Sequence, residues 1–206
     1  MNQTTKTMKN KILIPILLIS NLVNAQSPLE KRVLDKINSY RDSLGLAQVE
    51  YDSSLSDAAK HHNIYQVKSK SISHVEDKDI QDFKEILTVK ERIEFFAPEL
   101  SKMGKKDSIS FSEISQKASS FFDPRMKINV GGNLSEAEKK VVIDNYMKAG
   151  KCSEEKIFLM FKSSKEHDKQ MKLDVKKVKI GISIIEVKEE GSPIINYYVN
   201  INFVGR

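Results

Sequence analysis

The sequence VKIGISIIEV, residues 178–187, places apolar side chains at every second position. A period of two is typical of a β-strand, because successive side chains point to opposite faces of a sheet. A second alternating stretch, IINYYVNINFV at 194–204, follows the turn-forming KEEGSP at 188–193. We therefore predict a β-hairpin in which one face carries Val178, Ile180, Ile182 and Ile184, and the other carries Ser183 and Ile185.

Upstream of this hairpin the apolar period lengthens to that of a helix. Five side chains at spacings of four, four, three and four define one face of a first helix, which Gly45 ends: Leu29, Val33, Ile37, Tyr40 and Leu44. Ser53 or Ser54 is expected to cap a second helix, whose face includes Ala58, Ala59 and His62.

Further segments in the middle of the chain have readable patterns. We predict helices at 79–87, at 89–96, at 135–149 with a Ser135–Glu138 capping box, and at 153–172, and a short strand near 107–115. Helices early, a hairpin late and no repeating βαβ order predict an α+β fold.

The first 25 residues have the composition of an export signal. Lys6, Lys9 and Lys11 precede an apolar run, and Val23-Asn24-Ala25 has the small-x-small pattern of a cleavage site. The run of about 14 residues is too short to span a bilayer. We predict a signal peptide at 1–25, a single domain at 26–206, no membrane anchor after cleavage, and a secreted or periplasmic protein.

Charge and cysteine content narrow the class of protein. Loss of the three leader lysines lowers the net charge from +6 to +3. Lysines alternate with acids along the chain, so we expect no nucleic-acid partner. Cys152 is the only cysteine, and no local signature marks it as a nucleophile. Paired cysteines are usual in small secreted eukaryotic domains, so their absence favours a bacterial protein.

A set of short motifs runs through the opening helices and the link between them: Asn38, Arg41, Gly45, Leu46, Tyr51, Asp52, Leu55, Ala58 and Ala59. The chain closes with KIGISI and YYVNINF. In this order the motifs resemble the CAP superfamily, named for cysteine-rich secretory proteins, antigen 5 and pathogenesis-related proteins and also called SCP-like. The resemblance covers about residues 29–203 and implies an α-β-α sandwich in which helices flank a small, mostly antiparallel sheet.

Two further motifs resemble the family's pocket histidines. SISH ends at His74, and FKSSKEH ends at His167, with Phe161 in place of the tryptophan of the bacterial form. The resemblance implies that His74 and His167 face one cleft. Glu166 is expected to point away, because neighbouring residues on a helix diverge by about 100 degrees.

The acid of that cleft has two candidates in this sequence. FSEIS supplies Glu113, about 21 residues after Arg92, whereas GGNLS places Gly132 where the family has glutamate. We favour Glu113, because it retains an acid on a strand-like stretch. If Gly132 is the true equivalent, the metal site is degraded.

Two classes of function follow from the resemblance. The first is a binding module whose cleft takes a small apolar molecule, a divalent metal or a protein or peptide partner. The second is a metal-dependent hydrolase in which His74, His167 and Glu113 hold an ion such as zinc or act as base. We favour the binding module, because catalysis needs a complete, preorganised set of groups. His62 is expected to be a hydrogen-bonded core histidine, and His61 a surface residue.

Overall fold

The computed structural model describes residues 26–80, 85–102, 109–119, 133–147, 152–188, 190 and 194–206. The predicted signal peptide and Gly132 therefore lie outside the described residues. Seven helices and four strands are present within those ranges: α1 (Pro28–Ser43), β1 (Glu50–Tyr51), α2 (Ser53–Ser69), α3 (Val89–Phe96), α4 (Pro98–Lys102), β2 (Ser110–Ser119), α5 (Glu136–Met147), α6 (Glu154–Ser163), α7 (Lys165–Met171), β3 (Val178–Lys188) and β4 (Ile195–Gly205).

The predicted hairpin forms the centre of a four-stranded sheet of order β1-β3-β4-β2. β4 pairs antiparallel with both β3 and β2, while the short β1 runs parallel to β3. In the hairpin Ile182 lies opposite Ile201. The α+β class and the mostly antiparallel sheet are thus confirmed.

Helices cover both faces of the sheet, which gives the α-β-α sandwich. On one face, α1, α6 and α7 bury a large apolar core that includes Ile37, Phe161, Ile180 and Ile201. On the other face, α2, α3 and α4 form a smaller core that includes Ala58 and Ile93. The predicted face of β3 is confirmed, because Val178, Ile180, Ile182 and Ile184 all belong to or pack against the larger core.

Polar side chains fill much of the contact between α2 and the sheet. Asn63 donates to the backbone oxygens of Ser183 and Tyr198, at 2.8 and 3.1 Å. Buried polar groups need partners of this kind. Strand alternation predicts that one of Tyr197 and Tyr198 is buried and the other exposed, but both are buried, since α2 covers the second face as well.

Several predicted element boundaries are confirmed and others are wrong. Gly45 has φ +73°, the left-handed conformation expected where α1 ends, and the Ser135–Glu138 capping box is present. The cap of α2 is Asp52 rather than Ser53 or Ser54, because its carboxylate accepts from the amides of Ser54 and Leu55.

Two predicted helices differ from the structure. The stretch 153–172 is two helices, α6 and α7, which meet at Ser164 in an extended conformation. The segment 79–87 is not helical in its described parts.

Candidate functional site

Glu113 lies on β2 and faces the layer formed by α2 and α3. Alternation along the strand sends its neighbour Ile114 into the larger core, so Glu113 points the opposite way. Its side chain is buried, yet both carboxylate oxygens have cationic neighbours: His74 Nδ1 lies 3.0 Å from Oε1, and Arg92 Nη2 lies 2.6 Å from Oε2.

His74 lies in the segment between α2 and α3, and its side chain is 53% exposed. The hydrogen bond with Glu113 raises the pKa of His74 above its ordinary value of 6.5, although partial burial acts in the opposite direction. The predicted pairing of this histidine with Glu113 therefore has a direct contact in the structure. Its ring presents a second nitrogen that can donate or accept.

Arg92 and Glu76 form the floor beneath this pair. Arg92, fully buried on α3, donates through Nη1 to Glu76 Oε1 at 3.1 Å. The sequence pattern identifies Arg92 only as a reference for the position of Glu113. Glu76 is not among the predicted site residues. One signal was available, because Arg92 stands on the apolar face of α3 beside Val89, Ile93 and Phe96, where a charged side chain needs a buried partner.

His62 is the buried, hydrogen-bonded histidine that the sequence predicts. Its Nδ1 lies 2.7 Å from Glu76 Oε1, and its Nε2 lies 2.5 Å from the Ser73 carbonyl and 3.4 Å from Glu113 Oε1. His61 is predicted at the surface, but its side chain is only 9% exposed and its Nδ1 lies 3.5 Å from Glu76. That prediction is wrong, because α3 covers α2 here and the ring of Phe96 packs against His61.

The surrounding cations decide the protonation state of Glu113. Burial by itself would raise its pKa, but the bond from His74 and the charges of His62 and Arg92 together lower it. Glu113 is therefore a buried carboxylate whose negative charge is compensated within the protein.

His167 is the third residue of α7 and lies beside Phe161. The Ser164 hydroxyl accepts from the His167 backbone amide at 3.5 Å. The rings of Phe161 and His167 meet edge to face, with their centroids 5.4 Å apart. Burial lowers the pKa of His167, and the nearby charge of His74 lowers it further, against the opposing effect of Glu166. Among the residues described, none bonds to His167 Nδ1, which is buried.

His74 and His167 are thus within electrostatic reach of each other, although they stand far apart in the sequence. Glu166 is exposed and lines a surface hollow with Tyr40 and Lys169. That Glu166 points away from the histidines stays a prediction. That the two histidines share one cleft stays a prediction.

The described residues show no ready metal site. In the described ranges, no three His, Cys, Asp or Glu side chains are grouped so that they could hold a metal ion. Zinc binding by His74, His167 and Glu113 stays a prediction. Cys152 is buried, and burial raises the pKa of its thiol to about 11, so it is a poor nucleophile.

Comparison with known proteins gives one family. The model of the cysteine-rich secretory protein family matches residues 34–199, most of the chain. No curated protein matches the chain. Of the helices that the structure describes, none has the length and apolar character to cross a membrane.

Two solved structures resemble the fold. An outer surface protein from Borrelia burgdorferi is 16% identical, with a TM-score of 0.49, over 88% of this chain and 96% of that one. An extracellular protein containing an SCP domain from Bacillus anthracis is 12% identical, with a TM-score of 0.46, over 85% of this chain. This chain spans 40% of the length of the Bacillus anthracis protein.

Proposed function

Because the chain belongs to the cysteine-rich secretory protein family, also called CAP, we propose that it is an exported binding protein whose ligand contacts His74 and His167. The family resemblance implies a cleft that these two histidines line. His74 and His167 would recognise the ligand and would not catalyse a reaction on it.

The observation that carries this proposal is the state of Glu113. Each of its oxygens accepts from a nitrogen of the protein, Oε1 from His74 Nδ1 at 3.0 Å and Oε2 from Arg92 Nη2 at 2.6 Å. These contacts stabilise the carboxylate and lower the pKa of Glu113, which makes it a weak proton acceptor. The present geometry therefore favours binding over a hydrolase in which Glu113 acts as base.

The two histidines differ in a way that suggests the ligand chemistry. His74 is half exposed and its raised pKa favours the charged form, so it suits an anionic or hydrogen-bond-accepting group. His167 has a lowered pKa and lies against the buried ring of Phe161, so it suits an apolar part of the ligand. We therefore propose a small, largely apolar molecule that carries an acidic or accepting group, with a peptide or a metal as the other classes.

The test uses an apolar fluorophore that carries one sulfonate, 1-anilinonaphthalene-8-sulfonate, with the exported protein, residues 26–206. The variant His74→Ala/His167→Ala should bind it at least about tenfold more weakly, since a lost bond to a charged group contributes roughly 1.5–3 kcal/mol. The matched control is Asp77→Ala/Lys169→Ala, which changes one exposed residue on each of the same segments and should leave the affinity unchanged.

Equal weakening in both double variants would contradict the proposal, because the effect would then not be specific to the histidines. Unchanged affinity in the histidine variant would also contradict it, because it would indicate non-specific adsorption. Turnover of ester or peptide substrates that depends on added Zn²⁺ and is lost in the histidine variant would establish the hydrolase instead. Titration of the protein with Zn²⁺ alone, followed by calorimetry, separates a metal-binding role from both.

A further inference from the structure

The segment that carries His74 has one buried anchor. Residues 71–80 are exposed except Ser73, which is half-buried, and Glu76, which is 2% exposed. Glu76 stands two positions after His74, and its backbone amide donates to the Leu87 carbonyl at 2.9 Å. The segment therefore inserts a charged side chain into the protein immediately beside the candidate binding residue.

The Glu76 carboxylate joins the helices on either side of the segment. Its Oε1 lies 2.7 Å from His62 Nδ1 on α2 and 3.1 Å from Arg92 Nη1 on α3. All three side chains are fully buried. A carboxylate buried this deeply is tolerated only when it is paired and hydrogen-bonded.

Arg92 continues the connection to the candidate site. Its Nη2 donates to Glu113 Oε2 at 2.6 Å and to the His74 carbonyl at 3.3 Å. His62 Nε2 lies 3.4 Å from Glu113 Oε1. The four side chains Glu76, His62, Glu113 and Arg92 thus form a closed ring in which carboxylates alternate with nitrogen-bearing side chains.

The ring holds the His74 backbone and Glu113 in fixed relative positions, because Arg92 donates to both. The planar guanidinium of Arg92 holds Glu76, the His74 backbone and Glu113 at fixed directions, which a single ammonium cannot do. A segment that only had to be held down could use an apolar side chain, since well-packed apolar groups often replace buried ion pairs without loss of stability. The charged anchor adds direction, which apolar contacts do not provide.

We propose that Glu76 is a positioning residue, which acts through Arg92 to hold the His74 ring against Glu113. The inference deepens the proposed function and rests on it, because His74 is the group that the ligand would contact. Its test needs no ligand, so a failure here and a failure of the fluorophore experiment are distinguishable.

The test measures nuclear Overhauser contacts between the His74 ring protons and the Glu113 side chain at neutral pH. The wild type should show them. Glu76→Gln keeps the shape of the side chain but removes its charge. Arg92→Lys keeps the charge but loses the planar guanidinium. Both variants should lose the His74–Glu113 contacts. The cross-strand contacts of the β3–β4 hairpin, such as Ile182 with Ile201, should stay. Asp77→Asn, an exposed carboxyl on the same segment, is the matched control and should retain all contacts.

A merely structural role for Glu76 would lower the melting temperature and leave the His74–Glu113 contacts intact, and this result would overturn the proposal. Absence of those contacts in the wild type would also overturn it. If Glu76→Gln loses the hairpin contacts as well, the decision passes to Glu76→Asp, which keeps the charge but shortens the side chain. In that variant, selective loss of the His74 contacts supports positioning, and their retention contradicts it.

Discussion

Asn38 and Arg41 each tie distant backbone to the first helix. Asn38 exchanges two hydrogen bonds with the backbone of Val49, at 2.8 and 3.3 Å. Arg41, 1% exposed, donates to the carbonyls of Ala47, Met171 and Leu173, at 2.7, 2.9 and 3.0 Å. These two motif residues, which carry much of the family resemblance, therefore hold loops in place through these bonds.

The two candidate histidines should give the stability of the protein opposite dependences on pH. The folded pKa of His74 is raised, so its contribution is fully present below about pH 6.5 and is lost as the pH rises through the folded value. The folded pKa of His167 is lowered, so its contribution is present above about pH 6.5 and is lost as the pH falls. Above about pH 6.5, His74 makes the free energy of unfolding fall as the pH rises, so His74→Gln should remove this fall. Below about pH 6.5, His167 makes the free energy of unfolding rise with pH, so His167→Gln should reduce this rise.

Urea unfolding of the wild type and both variants between about pH 5 and pH 8 checks this prediction. Lys169→Gln, an exposed change on α7, should leave the curve unchanged. Identical curves for the two histidine variants would show that neither group has a perturbed pKa in the folded protein.

The sequence predicted His74 and Glu113 but not Glu76, the buried residue beneath them. His74 and Glu113 could be proposed because short motifs mark them, and the structure brings them into contact. Glu76 could not be found in this way, because no local pattern shows that an acid in the exposed run 71–80 is buried. Its partners lie on two helices whose packing is set by the whole fold.

At the scale of elements, the close approach of α2 to the sheet depends on Gly181 in β3. A methyl group at this position would lie 2.1 Å from the backbone carbon of Leu55 and 2.2 Å from the Ser56 nitrogen. The Ser56 hydroxyl also accepts from the Ile182 amide at 3.0 Å, which ties the helix to the strand at the same point. Glycine at position 181 therefore allows the backbone of α2 to lie directly on the strand.

We expect Gly181→Ala to destabilise the protein by about 3 kcal/mol, because the atoms that it meets are backbone and cannot move without shifting α2. Gly45→Ala is the matched comparison. Its φ of +73° disfavours alanine, but no atom lies within 4 Å of the added methyl, so the expected loss is about 1 kcal/mol. Urea unfolding measures both, and a loss at position 181 no larger than at position 45 would contradict the close packing.

The sequence predicted best those elements whose apolar spacing lies within one continuous stretch of chain. The strands β3 and β4 follow from alternation, and α1 from its apolar spacing and Gly45. The break between α6 and α7 could not be predicted in the same way, because Ile157, Phe161 and Met171 keep a helical spacing across it. The extended conformation of Ser164 alters one residue's backbone and leaves the period of the core positions nearly unchanged.

At the scale of the whole molecule, the two faces of the sheet have different chemistry. The face towards α1 and α6 is apolar and forms the larger core. The face towards α2 and α3 carries buried polar side chains, which include Glu113, Ser115, Ser183, Asn196, Asn200 and Asn202. Glu113 and its partners on α2 and α3 lie on this second face, because a sheet face already rich in hydrogen-bonding groups can accommodate a buried carboxylate and its cations. His167 lies on α7, which packs on the first face.

Export depends on residues 1–25, which precede the described fold. We expect signal peptidase to cut after Ala25, so that the exported chain begins at Gln26. The first helix does not need the leader, since its capping box is formed by Ser27 and Glu30, with the Ser27 amide 2.7 Å from Glu30 Oε2. Intact-mass measurement of the protein recovered outside the cytoplasm checks the start. Ala25→Phe, which puts a large side chain at the cleavage position, should leave residues 1–25 attached, whereas Asn24→Ser, at the position that the enzyme does not select for size, should be processed normally. A wild-type mass that retains residues 1–25 would contradict the prediction, and with it the exported binding protein that we propose.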